Sequence, residues 1–240
     1  FRKEGILMKK VKKVGAKCHY NNRILNKCLV LLLSLLFFGC GTSNDDTSSQ
    51  TDLQELTKIE VTEYEGKDLS SLTDFRENSI KGPQYINTDV YTLTIDGLVE
   101  QPNSLTYDEV LDNQKYTKVV TLHCVEGWSV DILWEGILLA DLFEAVDIQE
   151  SADTVIFHSE DGYSTALPLQ TIMDRQLMIA YKMNGVVLPP ERGFPFQLVA
   201  EDKLGYKWIK WITRIELSDD ADYEGYWEQR GFDNKADVKP

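Results

Sequence analysis

A chain of 240 residues has room for one or at most two domains, with a core large enough to be stable without staples. Hydrophobic residues at 42% and charged residues at 27% exclude a disordered or fibrous chain, and a net charge of −14 argues against sequence-independent nucleic-acid binding. Four cysteines are too few for a disulfide scaffold.

The charge is unevenly placed. Residues 1–39 carry nine of the 25 Lys/Arg and one of the 39 Asp/Glu, a net of +8, which leaves 16 basic against 38 acidic residues, −22, from Cys40 onward. The basic stretch runs into Leu29–Phe38, an apolar segment of ten residues, and then Gly39-Cys40. A basic region, an apolar run and a small residue before a cleavage point describe a secretory signal over 1–39. A membrane-spanning helix is the alternative, but it takes about 20 apolar residues, and Asn26-Lys27 interrupt the run upstream. Phe37-Phe38-Gly39-Cys40 resembles a bacterial lipobox, which implies lipidation of Cys40, with simple cleavage near Gly39 as the alternative. The polar stretch after it has little to bury and reads as a tether over 40–74.

The folded domain is expected over 75–240. Tyr91–Ile95 alternates as a strand that Asp96-Gly97 closes. Ser104 or Thr106 caps a short helix through Leu111. Tyr116–His123 is rich in β-formers and leads into Cys124, and Leu138–Val146 has helical spacing. Val155–His158 and Tyr163–Leu167 read as strands around the turn Ser159–Gly162. Met178–Met183, Asn184-Gly185 and Val186–Leu188 form a hairpin signal, because Asn-Gly suits a turn with two positive φ angles. Phe196–Ala200 and Trp208–Leu217 supply two more strands. Many short strands with two or three short helices give an α+β domain.

Cys18 and Cys28 fall in the signal and Cys40 at its end, so Cys124 is the thiol of the domain. A lone cysteine at the end of an apolar strand is commonly a small core residue. A cysteine-nucleophile enzyme needs a histidine base, for which His158 is the candidate, since His123 points to the opposite face from Cys124. One Cys and two His do not assemble a zinc site.

The context of Cys124 favours another chemistry. Thr121-Leu122-His123-Cys124-Val125-Glu126-Gly127-Trp128-Ser129 resembles the cysteine segment of the sulfite-oxidase-like molybdopterin oxidoreductases, nearest to their methionine-sulfoxide-reductase-like branch. A second block, Arg192-Gly193-Phe194-Pro195-Phe196-Gln197-Leu198 with Gly205-Tyr206-Lys207-Trp208-Ile209-Lys210-Trp211, is similar to the family's phosphate-binding region. The resemblance implies the sulfite-oxidase-like fold, with mixed sheets and short helices, and a molybdenum–molybdopterin cofactor with Cys124 as thiolate ligand. Soft thiolate suits a metal already held by dithiolene sulfur.

Carried over by position, Trp208, Ile209 and Lys210 cradle the pterin's phosphate. Gln197 stands where an arginine is usual, and Arg192 replaces a common Asn or His. Asn78 and Lys81, in Phe75–Pro83, fall in the family's opening cofactor segment, and Ser159 falls where a hydroxyl contacts the pterin. Glu126 reads either as a proton relay or as a surface carboxylate, and Tyr223–Phe232 either as a pocket wall or as a flap on the sheet.

The implied activity is oxygen-atom transfer on a small substrate such as a sulfoxide, because Val-Glu-Gly-Trp after Cys124 offers an anion no cation. Electrons then come from a separate membrane redox partner, and the enzyme is exported and held on the outer face of the membrane through Cys40. The alternative is a cofactor-free lipoprotein module, favoured by Gln197 and by the lack of an Arg-Arg pair in the signal.

Overall fold

The computed structural model describes residues 53–239, so the signal, Cys40 and the start of the tether lie outside the described residues. Twelve strands appear in them: β1 (Glu63–Tyr64), β2 (Lys67–Asp68), β3 (Thr92–Gly97), β4 (Asn103–Thr106), β5 (Tyr116–His123), β6 (Ser129–Leu138), β7 (Thr154–Ser159), β8 (Ser164–Pro168), β9 (Met178–Met183), β10 (Val186–Val187), β11 (Gln197–Val199) and β12 (Ile212–Ser218). Short helices occupy Tyr107–Leu111, Leu139–Phe143 and Leu169–Arg175. The first begins at Thr106, whose hydroxyl accepts from the Glu109 amide while the Glu109 carboxylate accepts from the Thr106 amide, a reciprocal cap for two orphan donors.

Two five-stranded sheets carry the molecule. One runs β10-β9-β6-β5, with β11 also paired to β9, and the other runs β4-β3-β12-β7-β8. Alternation decides which residues enter the core: Leu93 and Ile95 of β3 and Val120 and Leu122 of β5 are buried between exposed or half-buried neighbours. Trp134 of β6 stacks at 5.7 Å on Trp208 beneath them. β12 joins β3 in parallel and β7 antiparallel, with Ile215 opposite both Ile95 and Phe157.

Most expected elements are present, and the Asn184-Gly185 hairpin has the φ angles its sequence demands, 47° and 77°. Three features differ. β6, the longest strand, and the short β4 are not apparent from their local sequence. Trp208–Trp211 is not strand: the Trp208 amide closes a 3₁₀ turn on the Gly205 carbonyl at 3.0 Å, and Trp211 sits at φ 54° with its indole donating to the Pro190 carbonyl at 2.7 Å. Asp96-Gly97 lies inside β3, in register with Glu216 and Leu217 of β12, instead of forming the turn that closes the strand, and β12 approaches so closely that a Cβ on Gly97 would lie 2.2 Å from the Leu217 carbonyl.

Packing begins upstream of Phe75. Leu72 has no exposed surface, and the Ser70 amide donates to Asp131 of β6. Asn184 completes the tie: its Oδ1 accepts from the Leu133 amide at 3.1 Å, and its Nδ2 donates to Ser70 O at 2.8 Å and to Glu60 at 3.1 Å. Replacing Asn184 by Ala strands a buried amide and carbonyl and places a Cβ residue without a turn-forming side chain at positive φ. We expect a loss of about 2–3 kcal/mol in urea unfolding, with Asn184→Gly recovering only the backbone part. A loss under about 0.5 kcal/mol, the size of an ordinary surface change, would contradict this account of how the segment is held.

Candidate active site

The β5–β6 hairpin delivers Cys124. Pairing runs to His123 opposite Ser129, and the loop beyond is closed by the Cys124 amide on the Trp128 carbonyl at 2.9 Å and the Gly127 amide on the Cys124 carbonyl at 3.1 Å. Gly127 takes φ 87°, a conformation that favours glycine, so the turn between thiol and Trp128 is set by sequence. The thiol is half-buried, and burial pushes its pKa up; the Glu126 carboxylate adds to that, while the Glu126 and Val125 amides pull the other way. Glu126 is exposed and accepts from the Trp128 indole at 3.2 Å, which holds it at the rim.

Cys124 opens into a cavity of about 350 Å³ at the ends of the two sheets. Eight of the residues singled out from sequence line it together: Asn78, Cys124, Glu126, Ser159, Arg192, Gln197, Trp208 and Lys210. Two do not. Lys81 is exposed and reaches over the Ser159–Gly162 turn, with its ammonium 3.4 Å from where a Gly162 Cβ would stand. Ile209 is a core residue whose amide donates to the Lys207 carbonyl and whose carbonyl accepts from Leu198. The Trp208 amide and indole are likewise engaged, with Gly205 and Lys203, so the expected amide cradle at 208–209 is taken up by the chain's own turn.

The buried cations are also engaged. Arg192 donates from Nε and Nη2 to the Leu72 carbonyl and from Nη2 to the Phe75 carbonyl at 2.6 Å, with its guanidinium 4.0 Å over the Phe75 ring. Burial brings its pKa down to about 10, which leaves it charged at neutral pH. Lys210 donates to Glu77 Oε1 at 2.7 Å and to the Glu191 carbonyl at 3.2 Å, and lies 4.3 Å over Trp211. Burial lowers its pKa against the opposing pull of Glu77.

The cavity includes one residue that sequence reasoning missed, Asp161, and settles the two readings of the C-terminal aromatic stretch for Trp227 and Phe232. Asp161 is buried, and its Oδ1 accepts from the Ser159 hydroxyl at 2.8 Å and the Tyr163 amide at 2.9 Å. The Ser-Glu-Asp-Gly turn signalled a bend but not that its aspartate points inward. Tyr206, Trp227 and Phe232 form an aromatic wall with ring centroids 5.3 and 5.0 Å apart, which assigns part of the C-terminal aromatic stretch to the cavity. Gly205, beside Tyr206, packs on the Cys124 loop: a Cβ there would stand 3.8 Å from the Cys124 Cα. His158 lies elsewhere, on the opposite face of β7, with Nε2 2.8 Å from Glu216 and Arg214 at 3.3 Å. No histidine lines the cavity among the described residues, so the Cys–His reading has no geometry behind it.

The residues present fit a metal that arrives with its own ligands. Among the described residues no three His, Cys, Asp or Glu side chains group to hold an ion, so a metal beside the Cys124 thiol would need ligands of its own, as a dithiolene provides. Polar capacity is in reserve as well. The Ser79 hydroxyl is buried in the cavity wall without a partner, and the buried Gln197 side chain lines the same cavity.

The family model for the oxidoreductase molybdopterin binding domain matches residues 80–227. An uncharacterized oxidoreductase, YuiH, of Bacillus subtilis is 33% identical over 65% of this chain and 78% of its own length. A putative protein-methionine-sulfoxide reductase subunit, YedZ1, of Azospira oryzae is 31% identical over 59% of this chain and 54% of its own. The catalytic subunit MsrP of the protein-methionine-sulfoxide reductase of Gluconobacter oxydans is 33% identical over 54% and 47%. This chain therefore spans about half the length of those two relatives. Among solved structures, the sulfane dehydrogenase SoxCD of Paracoccus pantotrophus shares the fold, with a TM-score of 0.55 at 23% identity over 57% of this chain and 40% of that one. The chain belongs to the molybdopterin-binding oxidoreductase family: it is a redox enzyme whose cofactor is molybdenum–molybdopterin.

Proposed function

We propose that the enzyme transfers an oxygen atom from a small neutral substrate such as a sulfoxide, on the outer side of a membrane, with electrons from a separate membrane partner. The observation that carries the reading is the state of the cavity. Arg192 is engaged by backbone carbonyls and Lys210 by Glu77, the other lining cation, Arg76, is exposed, and Cys124 shares the cavity with aromatic side chains, so an anionic substrate finds no buried cation that is not already paired. Two relatives named as methionine-sulfoxide reductase subunits point the same way, and the word subunit in one name agrees with a separate electron donor.

When bound, the cofactor supplies two-electron redox chemistry with oxygen-atom exchange at molybdenum. Cys124 would hold the metal as thiolate; burial raises the thiol's pKa, so it would give up its proton to serve as that ligand. Reduction of a sulfoxide consumes two protons and two electrons and yields a thioether and water. Glu126, exposed at the rim and oriented by Trp128, is the group placed to pass those protons inward. Asn78, Ser159, Gln197 and Lys210 offer the cofactor polar contacts, and Arg192 acts from behind by fixing the segment that carries Asn78. Trp208 and Trp211 keep water from the deep end of the cavity.

The membrane assignment rests on the basic and apolar stretch before Cys40, since no helix among the described residues is long and apolar enough to cross a bilayer. A lipidated Cys40 and a polar tether place the domain outside the membrane. Stable attachment takes more than one acyl chain, which lipoprotein processing provides.

Protein from a cofactor-competent host should contain stoichiometric molybdenum and reduce sulfoxides with a reduced viologen dye. Cys124→Ser should lose the metal and bring turnover to background; a folded wild-type protein without metal or turnover would favour the binding-module reading. In cofactor-free protein, alkylation of Cys124 followed by mass spectrometry should accelerate with pH through a midpoint above about 8.5, the value of a free thiol. Glu126→Gln should quicken it at fixed pH, because the repelling charge is gone, and a midpoint at or below 8.5 would show that burial does not govern the thiol. Cys40→Ser should move the protein from the membrane fraction to the soluble one.

A further inference from the structure

Two cavity side chains tie residues 72–80 to the domain, and they do so differently. Arg192 holds the Leu72 and Phe75 carbonyls, backbone groups that cannot leave without moving the chain. Lys210 is met by a side-chain carboxylate, that of Glu77, which a rotation about its own bonds can withdraw. The pair is not sealed: the Lys210 side chain keeps 14% exposure and that of Glu77 27%. Around it lie further polar groups of the cavity wall. Gln197 and Lys210 stand together over Gly193, where an added Cβ would meet their Cβ atoms at 3.2 and 2.9 Å, and the Ser79 hydroxyl is buried with no acceptor or donor.

Molybdopterin ends in a phosphate. An anion entering this cavity meets one buried cation whose main partner is displaceable, and that cation is Lys210. Phosphate and carboxylate cannot both be well served by one ammonium, because two anions a few ångströms apart repel in a medium less polar than water. Phosphate brings the larger charge and more acceptor oxygens, and takes the stronger charge-assisted bonds.

We propose that Glu77 is a placeholder: its carboxylate neutralises Lys210 in the cofactor-free protein, and the anionic end of the cofactor displaces it, releasing residues 76–81 from the cavity wall. Arg192 keeps Leu72 and Phe75 in place, so the released piece starts at Arg76 and carries Asn78 and Ser79, two residues that then have freedom to settle on the cofactor. The carboxylate prevents Lys210 from standing largely buried and unpaired before loading. The inference rests on the cofactor and on nothing assumed about the substrate.

The test uses the full chain from a host unable to make the cofactor, with isolated molybdenum cofactor added. Glu77→Gln should bind the cofactor about tenfold tighter, a gain of 1.4 kcal/mol, read as quenching of tryptophan fluorescence. Hydrogen exchange over 76–81 should be faster in cofactor-free Glu77→Gln than in cofactor-free wild type. Weaker or unchanged binding by Glu77→Gln, or exchange over 76–81 in the cofactor-free variant no faster than in wild type, would overturn the proposal. Should Glu77→Gln fail to fold, Glu77→Asp decides. Its shorter side chain makes a poorer partner for Lys210, so binding tighter than wild type supports the placeholder, and binding no tighter overturns it.

Discussion

Buried positive charge organises this molecule. Arg192, Lys207 and Lys210 lie in one stretch of chain, and each is covered by the fold. An ammonium or guanidinium removed from water costs several kcal/mol unless acceptors replace its hydration, and the acceptors here come from distant parts of the sequence. Arg192 and Lys210 draw in residues 72–77 from the N-terminal side. Lys207 draws in Glu228 from the C-terminal side, together with the Ala166 carbonyl and Asn234 at 3.0 Å. Both ends of the folded unit are thereby fastened around the cavity that Cys124 enters, and the sheets supply the platform from which the cations reach.

That arrangement explains why the cavity has the character it does. Arg192 and Lys210 already serve the fold, and the rest of the lining combines aromatic and amide side chains with Arg76 and the carboxylates of Glu126, Asp161 and Glu191. Tyr206 is held by Tyr163, whose hydroxyl donates to the Tyr206 carbonyl at 2.5 Å, and Phe232 and Trp227 follow because Glu228 is buried beneath them. The apolar wall beside the thiol is thus a consequence of the ion pair under it. The Glu228 Oε2, left without a partner, is the cost of the close approach of Gly225, where a Cβ would stand 2.9 Å from that oxygen and 2.3 Å from the Ser164 carbonyl.

How much of this was legible beforehand follows the range of each interaction. β5, the capped helix at Tyr107–Leu111 and the Asn184-Gly185 hairpin are set by neighbours in sequence, and alternation, capping and turn chemistry are enough to find them. Cys124, Lys210 and Ser159 were legible as a set through a family resemblance, and they do meet in one cavity. β6 was not, because it is buried on both faces and its DILWEGIL run shows no alternation. Trp208–Trp211 has strand composition, but the turn at Gly205–Lys207 and the Pro190 carbonyl recruit its donors. Asp161, Glu77 and the packing of Leu72 depend on partners far away in sequence, which no local pattern encodes.

The span of the family match and the extent of the cavity do not coincide, and the difference is informative. Matched residues end at 80 and 227, whereas Phe75, Arg76, Asn78 and Ser79 on one side and Phe232 on the other also line the cavity. The matched stretch holds Cys124, Ser159, Arg192, Lys207 and Lys210. The flanking segments close the remaining sides of the cavity, attached through Glu77 to Lys210 and through Glu228 to Lys207. Each flank is thus fastened by a carboxylate on a cation of the matched stretch, but the two bonds differ in access: the Lys207 and Glu228 side chains are 0% and 1% exposed, whereas those of Lys210 and Glu77 keep 14% and 27%, so the N-terminal wall is the one whose ion pair solvent can reach.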